Sequence, residues 1–380
     1  MEFINLKAQY SSLKDEIDKN IHHVLDNNRY MMGSFVKKLE KELAEYVGVK
    51  YCISCANGTD ALQLALMVWG VGKGDAVFVP DFTFFSTAEV VSILGATPIF
   101  IDIDKKTFNL DSNKLKEAIN KVLNETDLKP KVIIPVDLFG QPANFEEIRK
   151  IAQEYNLHIL EDGAQGFGGS IDGKMACSFG DISTTSFFPA KPLGCYGDGG
   201  AIFTDNDDYY QILQSLRIHG KGLFKYDNVR IGMNSRLDEI QAGILLPKLK
   251  AFEEYELDNR NKVASIYSER LEHLVKIPFV PKNYISSWAQ YTILVRSEEE
   301  RSYVQNRLNA KGIPTMIYYP KPLHNQTVYK NYSFNIESLI NSKTVCKTCL
   351  SLPMHPYLTD VQQNEIISEF VNAIEEYRNE

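Results

Sequence analysis

A lysine, Lys191, stands in a short apolar turn whose residue types could do covalent chemistry. The turn runs from Ser186 to Gly194 with the sequence SFFPAKPLG, and strand-like sequence precedes and follows it. Apolar surroundings disfavour the ammonium form of a lysine, so its pKa falls and the neutral amine becomes a nucleophile. Lys191 is therefore a candidate for attack on an aldehyde, although an ordinary loop lysine fits the same short motif.

A second turn, Asn57-Gly58-Thr59, lies where a predicted strand passes into a predicted helix. Gly58 permits close approach of the backbone, Thr59 offers a hydroxyl, and the free N–H groups of a helix start favour a phosphate. A simple helix cap by Asn57 or Thr59 explains the same residues, so this turn by itself leaves both interpretations open.

A third feature is the apolar strand that ends in Glu161-Asp162, followed by Gln165. Its position lets Asp162 pair with a buried cationic nitrogen. In pyridoxal enzymes that nitrogen is the pyridinium, and keeping it protonated makes the ring an electron sink. Gln165 could then bond the ring hydroxyl. A helix-capping acid is the structural alternative for Asp162.

An aromatic run, Phe82 to Phe85, follows the strand that ends at Pro80, and one of its rings could stack on a cofactor. Ser186, five residues before Lys191, could reach a phosphate or the lysine turn. The four features together meet what pyridoxal phosphate requires: a nucleophilic lysine, a carboxylate, a phosphate turn and a stacking ring.

The elements that must position these residues alternate along the chain between Lys50 and Thr204. Predicted strands are Tyr51–Cys55, Ala76–Val79, Pro98–Ile101, Lys131–Val136, His158–Asp162, Ile182–Phe187 and Ala201–Phe203. Predicted helices between them are Asp60–Trp69, Ser86–Leu94, Asp111–Leu123 and Phe145–Tyr155. This alternation predicts an α/β fold with a mostly parallel sheet between helices, in which ligands bind at the carboxyl ends of the strands.

The remainder of the chain predicts a smaller α+β domain. A long helical stretch, Arg236 to about Tyr267, contains Pro247, where we expect a kink or a break. Strands at Tyr291–Val295 and Thr315–Tyr318 and helices at Glu300–Lys311 and about Thr359–Arg378 follow. We divide the chain into a large domain, 1–250, and a small one, 251–380. A helix at about Lys14–Asn27 can belong to either domain.

Composition narrows the class of protein. The chain has 380 residues and a formal net charge of −8, without a basic stripe, which argues against a nucleic-acid partner. No secretory signal and no bilayer-spanning apolar run are visible, so we expect a cytoplasmic protein without a membrane partner.

The cysteines include two C-x-x-C pairs, Cys52/Cys55 and Cys346/Cys349. The first pair falls on a predicted strand, where residues three apart face opposite sides, and the pairs are far apart in sequence. We therefore predict reduced, mostly buried cysteines and no metal site.

Taken in their order along the chain, these motifs resemble those of the DegT/DnrJ/EryC1-type sugar aminotransferases. These are fold-type-I pyridoxal-phosphate enzymes that act on nucleotide-linked keto sugars. The likeness also covers the glycine run 197–200 and the segment 232–242, and it spans nearly the whole chain. Two positions depart from the usual family pattern, with Gly163 in place of alanine and Ala190 in place of threonine or serine.

The resemblance implies a role for each motif. Lys191 would hold the cofactor and be the catalytic residue together with Asp162, the partner of the pyridine nitrogen. The other implied cofactor contacts are Gly58, Thr59 and Ser186 at the phosphate, Phe84 as the stacking ring, Gln165 at the ring hydroxyl, and Asn234 reaching the phosphate from the neighbouring subunit of a homodimer. Candidate substrate contacts are Arg236, Arg29 and Tyr318.

The implied reaction is transfer of an amino group from L-glutamate to a nucleotide-linked 3-keto sugar, with pyridoxamine phosphate between the half-reactions. The chain is most similar to the branch that aminates UDP-2-acetamido-2-deoxy-3-oxo-glucuronate in surface-polysaccharide (O-antigen) biosynthesis. That branch has histidine where this chain has Tyr318, so a dTDP-3-keto-6-deoxyhexose and a UDP-3-keto-N-acetylhexosamine stay as alternatives. A non-catalytic, cofactor-binding regulatory protein is the alternative of another class.

Overall fold

The protein is built around a seven-stranded sheet, seen in a computed structural model that describes residues 1–224 and 226–379. The strands are β1 (Tyr51–Cys55), β2 (Asp75–Pro80), β3 (Thr97–Ile101), β4 (Lys129–Ile133), β5 (His158–Asp162), β6 (Ser170–Ile171), β7 (Lys174–Met175), β8 (Ile182–Ser186), β9 (Gly200–Thr204), β10 (Tyr284–Ile285), β11 (Tyr291–Leu294) and β12 (Cys349–Leu352). The α-helices are α1 (Leu6–Asn27), α2 (Ser34–Val47), α3 (Gly58–Val68), α4 (Ser86–Ile93), α5 (Ser112–Glu125), α6 (Phe145–Tyr155), α7 (Asp207–Leu216), α8 (Glu239–Ala251), α9 (Leu257–Leu271), α10 (Glu298–Ala310), α11 (Asn341–Thr348) and α12 (Asp360–Asn379).

The strand order of the central sheet is β1-β9-β8-β5-β4-β2-β3. Strand β9 runs antiparallel to both of its neighbours, β1 and β8, whereas β8, β5, β4, β2 and β3 are parallel to one another. The mostly parallel sheet predicted from the sequence is confirmed. Because β5 and β8 are adjacent and parallel, Asp162 and the turn that follows Ser186 emerge at the same edge of the sheet.

Alternate residues of the buried strands pack into two different apolar clusters, one on each face of the sheet. Helices therefore cover both faces. On β2, Val77 and Val79 pack in a cluster with residues of α3, α4 and α7, whereas Ala76 and Phe78 pack with α5 and α6. Side chains two apart on a strand share a face, so a strand that is apolar throughout must be buried on both sides.

A separate apolar cluster lies in the last third of the chain, where α9, α10 and α12 pack on the β11–β12 ladder. Its fully buried members include Tyr267, Ile293, Leu308 and Phe370. The observed elements match the predicted α+β composition, and the division of the chain at residue 250 stays a prediction. The predicted strand at Thr315–Tyr318 is wrong, because this segment forms only an isolated bridge, Met316 to Ser351.

Of the kink or break expected at Pro247, the break is wrong. Helix α8 continues through Pro247 to Ala251, and the departure from α-helical geometry comes later, in a π-helical turn at Phe252–Glu256. A proline removes the N–H that would bond the carbonyl four residues earlier. Here Asn20 of α1 donates its Nδ2 to the carbonyl of Gly243 at 2.8 Å, so that acceptor is satisfied from outside the helix.

Helix α1 packs along α8. Phe3, which precedes the helix, contacts the apolar cluster of the last third of the chain, here called the small core. Gln9 Nε2 donates to Glu256 at 2.8 Å, and the N–H of Met354 donates to the carbonyl of Phe3 at 3.3 Å. The helix begins at Leu6, earlier than the predicted Lys14. The N-terminal segment therefore contacts both the predicted large domain, through α8, and the small core. The sequence had left its domain open.

All six cysteines are buried and free, as predicted, and Cys52 and Cys55 lie on β1. Across residues 1–224 and 226–379, no group of three or more His, Cys, Asp or Glu side chains is placed to hold a metal ion. Among the described residues, no helix combines the length and the apolar composition needed to cross a bilayer.

Candidate active site

A cavity of about 650 Å³ lies at the carboxyl ends of β5 and β8, beside the start of α3. Eight of the residues proposed from the sequence line it: Gly58, Thr59, Phe84, Asp162, Gln165, Ser186, Lys191 and Tyr318. These residues come from distant parts of the chain, and the sheet order brings them to one place. The pocket expected at the strand ends is therefore present.

The turn before α3 has the shape of a phosphate cradle. Asn57 caps the helix, because its Oδ1 accepts from the N–H of Asp60 at 2.8 Å. Within the described residues, the N–H groups of Gly58 and Thr59 donate to no protein oxygen. A Cβ on Gly58 would lie 2.7 Å from the Cβ of Ser186, so a side chain here would collide with the opposite wall. The cap and the cradle are two uses of the same turn.

Asp162 forms the buried acidic end of the cavity. Its Oδ2 accepts from the hydroxyl of Thr87 at 2.8 Å, and its Oδ1 accepts from the N–H of Ala164 at 3.2 Å. Burial raises the pKa of Asp162, while both hydrogen bonds and the nearby Lys191 act in the opposite direction. A carboxylate held in this way fits a cationic ring nitrogen placed in the cavity, since that charge would offset the cost of burial.

Lys191 is half-buried in its turn, and burial lowers the pKa of its amine, with Asp162 opposing the shift. The turn is tightly folded: the N–H of Lys191 donates to the carbonyl of Phe188, and that of Cys195 to Phe187, both at 2.8 Å. A Cβ on Gly194 would lie 2.6 Å from the carbonyl oxygen of Pro189, so the close fold needs glycine there. The lysine is thus fixed in surroundings that favour its neutral, nucleophilic form.

Gln165 and two aromatic rings form another wall. The Oε1 of Gln165 accepts from the N–H of Phe139 at 2.8 Å, and its Nε2 donates to the hydroxyl of Tyr319 at 3.1 Å. Phe84 is 54% exposed, and its ring centroid lies 6.4 Å from that of Tyr319. An aromatic face open to a cavity can stack on a flat ligand.

Three of the proposed residues are elsewhere in the described part of the chain. Arg29 and Asn234 are exposed, Arg236 is half-buried, and none of them lines the cavity. Next to Asn234, Ser235 lies directly behind the cradle, where its Oγ accepts from the N–H of Ala56 at 3.1 Å.

Thr87, Tyr319, Gln290 and Asp198 were not expected at the site from the sequence. Thr87 bonds Asp162, and the other three line the cavity. A signal existed for Thr87, which stands two residues after the aromatic run, and for Tyr319, which follows Tyr318. Asp198 stands in the glycine run 197–200, whereas Gln290 carries no such signal, because only the folded chain brings it to this wall.

The residues present fit pyridoxal phosphate. Gly58 leaves room for a phosphate at free N–H groups, and Phe84 presents an open ring face. Asp162 and Lys191 line the same cavity. Each of these matches one part of the cofactor: phosphate, ring, ring nitrogen and aldehyde.

Comparison with known proteins gives the same answer. Residues 11–371 match the model of the DegT/DnrJ/EryC1/StrS aminotransferase family. The chain is 45% identical to UDP-2-acetamido-2-deoxy-3-oxo-D-glucuronate aminotransferase of Pseudomonas aeruginosa, over 98% of this chain and 100% of that protein. It is 38% identical to UDP-N-acetyl-3-dehydro-alpha-D-glucosamine 3-aminotransferase of Acidithiobacillus ferrooxidans, over 94% of each.

Solved structures agree. The crystal structure of a DegT DnrJ EryC1 StrS aminotransferase from Brucella abortus has a TM-score of 0.95 and 48% identity, covering 98% of this chain and 99% of that one. More distant neighbours have been solved in pyridoxal phosphate and pyridoxamine phosphate forms. The expected fold type and cofactor are confirmed: this is a fold-type-I enzyme that uses pyridoxal phosphate. The chain belongs to the DegT/DnrJ/EryC1/StrS aminotransferase family.

Proposed function

We propose that this enzyme transfers the amino group of L-glutamate to a nucleotide-linked 3-keto sugar, with UDP-2-acetamido-2-deoxy-3-oxo-glucuronate as the best candidate. The observation that carries the proposal is the joint placement of Lys191 and Asp162 in one cavity. The choice of sugar is supported by the 45% identity to the Pseudomonas enzyme over its whole length.

Each residue has a definite task in this proposal. The bound cofactor supplies the electron sink that stabilises negative charge on the reacting carbon. Lys191 would hold the cofactor, and its amine, when free, would move the proton at the substrate carbon. Asp162 would keep the ring nitrogen protonated, Phe84 would stack on the ring, and Gln165 would bond the ring hydroxyl.

The phosphate contacts come from Gly58, Thr59 and Ser186. Ser186 is half-buried in the cavity wall, and its Oγ accepts from the N–H of Phe188 at 3.2 Å, which leaves its own proton available to an anion. The helix start adds a favourable field for negative charge.

The identity of the sugar depends on how a carboxylate would be held. Of the cavity-lining residues that the structure describes, Lys191 alone carries a positive charge. Tyr318, the third candidate substrate contact, is half-buried and can donate one neutral hydrogen bond. Arg236 and Arg29 lie outside this chain's own cavity, so either of them would have to reach a uronate carboxylate from a second subunit. The dTDP-3-keto-6-deoxyhexose and the UDP-3-keto-N-acetylhexosamine have no such requirement.

The test of the proposed function is the visible spectrum of the purified protein with pyridoxal phosphate, before and after addition of L-glutamate alone. We expect the band of the lysine-bound cofactor to give way to that of the pyridoxamine form, with one 2-oxoglutarate released per site. Addition of each keto sugar should then restore the first band at a rate that ranks the three substrates. A band that glutamate leaves unchanged would favour the regulatory alternative.

We further propose a homodimer in which Asn234 of each subunit reaches the cofactor phosphate of the other. Asn234 is exposed and outside its own cavity, although its neighbour Ser235 touches the cradle. The nearby loop exposes large apolar side chains, Leu223 at 96% and Ile231 at 88%. Exposed apolar groups next to a functional residue are typical of a surface that another chain covers.

Mixing two inactive variants tests the shared site. Lys191→Ala and Asn234→Asp should each be inactive as homodimers, the second because a new negative charge opposes the phosphate. Unfolding and refolding them together in equal amounts should restore about a quarter of wild-type activity, since half the dimers then carry one intact site. If both residues served the same chain's site, no activity would return. Refolded wild-type protein is the control for recovery.

The proposal includes a cytoplasmic location and a product used in surface-polysaccharide synthesis. Buried free cysteines suit a reducing compartment. The uronate or amino-sugar product would be a building block only after a glycosyltransferase removes it from its nucleotide.

A further inference from the structure

The fully buried hydroxyl of Thr87 has no part in the roles assigned so far. Thr87 stands in the first turn of α4 with a relative exposure of 0%, and Asp162 is 4% exposed. Its Oγ1 donates to Asp162 Oδ2 at 2.8 Å, across 75 positions of sequence. A buried hydroxyl is costly unless it is bonded, and this one uses its single proton on the carboxylate.

The two oxygens of Asp162 are held from different sides. Thr87 donates to Oδ2, and the N–H of Ala164 donates to Oδ1 at 3.2 Å. The backbone donor fixes one oxygen only, so the carboxylate can still rotate about it. The hydroxyl from α4 supplies the second point that fixes the plane of the carboxylate.

The same helical turn also carries the exposed ring. The N–H of Thr87 donates to the carbonyl of Phe84 at 3.3 Å, so the two residues are tied within one turn. A threonine hydroxyl in a helix commonly bonds the carbonyl of its own helix. Here it reaches the carboxylate on β5 instead, and the nearest other side-chain partner, Thr83 Oγ1, is 3.5 Å away.

We propose that Thr87 is a positioning residue, which orients the carboxylate of Asp162 toward the ring nitrogen of the cofactor and aligns it with the ring stacked on Phe84. This inference rests on the proposed function, because it presupposes the role of Asp162. Thr87 itself does not line the cavity. Its effect is exerted through the carboxylate.

The test compares three variants in the half-reaction with L-glutamate. Thr87→Val keeps the shape and removes the hydroxyl, Thr87→Ser restores a hydroxyl, and Thr184→Val is the matched control, since Thr184 donates to the backbone carbonyl of Glu161 at 3.1 Å. We expect Thr87→Val to lower the maximal rate about 10- to 100-fold, as for loss of a hydrogen bond to a charged group, with the KM for glutamate changed less than about threefold. Thr87→Ser should recover most of the rate.

The pH profile separates positioning from simple structural damage. The bond from Thr87 lowers the pKa of Asp162, so its loss should move the acid limb of the rate profile to higher pH. The other ionisable groups whose charges couple to Asp162 are Lys191, Asp137, Cys177 and Tyr319, and all are unchanged in the variant.

Two outcomes would overturn the inference. One is a Thr87→Val rate within twofold of wild type; the other is a rate loss that Thr87→Ser does not recover and that leaves the pH profile unmoved. Asp162→Asn, measured in parallel, keeps this failure distinct. If Asp162→Asn is inactive and Thr87→Val is not, only the positioning role is wrong. If Asp162→Asn is active, the proposed function itself is wrong.

Discussion

Replacing Lys191 with alanine should abolish turnover, with a loss greater than about 10³-fold, because it removes both the covalent anchor and the group that moves the proton. The variant should still bind pyridoxal phosphate, since the cradle at Gly58 and the carboxylate of Asp162 are untouched. Borohydride treatment followed by mass spectrometry should find the cofactor fixed to the wild-type chain and absent from the variant. Both half-reactions should be measured.

The matched control is Lys174→Ala, which removes an exposed lysine on β7 that lies outside the cavity. It should behave as wild type in every assay. A second comparison, Lys191→Arg, keeps a positive charge without a nucleophile and should be as inactive as the alanine variant. Near-normal turnover by either Lys191 variant would rule out the assigned chemistry.

Asp162→Asn has the next largest expected effect, a loss of about 10² to 10³ in the rate of the glutamate half-reaction. The amide carries no charge, so the ring nitrogen loses its proton and the ring becomes a poor electron sink. Binding of pyridoxal phosphate should weaken less than the rate falls, because the phosphate contacts remain. Single-turnover spectra at saturating glutamate separate the two effects.

The control for this variant is Asp137→Asn, a second buried carboxyl that lies outside the cavity. Burial and the nearby Glu161 raise the pKa of Asp137 well above its ordinary value, which favours its protonated form. Because Asp137 does not line the cavity, its replacement should leave the rate within about threefold of wild type. Equal losses of rate in Asp162→Asn and Asp137→Asn would show that replacing either buried acid damages the enzyme. The effect would then not be specific to Asp162.

Much of the active site could be predicted from local sequence, because its parts stand at the ends of strands. The predicted strand His158–Asp162 coincides with β5, and the two helices predicted at 86–94 and 145–155 correspond to α4 and α6. Apolar runs between turn residues identify such strands, and a carboxylate or lysine placed just after one must lie at the ligand edge of a parallel sheet.

What could not be predicted depends on contacts between distant segments. The bond from Thr87 to Asp162 requires knowing that α4 reaches over β4 to the end of β5, which no local pattern records. The helical course through Pro247 depends on Asn20 of α1, which satisfies the carbonyl of Gly243. The segment at Thr315–Tyr318 has strand-like residues but forms only a single bridge; Tyr318 lines the cavity, and Ile317 packs against the apolar cluster of the last third of the chain.

Because every cysteine is buried, the reactivity of the thiols reports local unfolding of this protein. Burial raises the pKa of these thiols, for Cys195 to about 11, so almost no thiolate is present at neutral pH. Alkylating reagents can therefore react only when a segment transiently unfolds and releases its sulfur to water. Because Cys52 and Cys55 lie on β1, whereas Cys346 lies in α11 and Cys349 on β12, the order in which they are labelled would show which of these elements opens first.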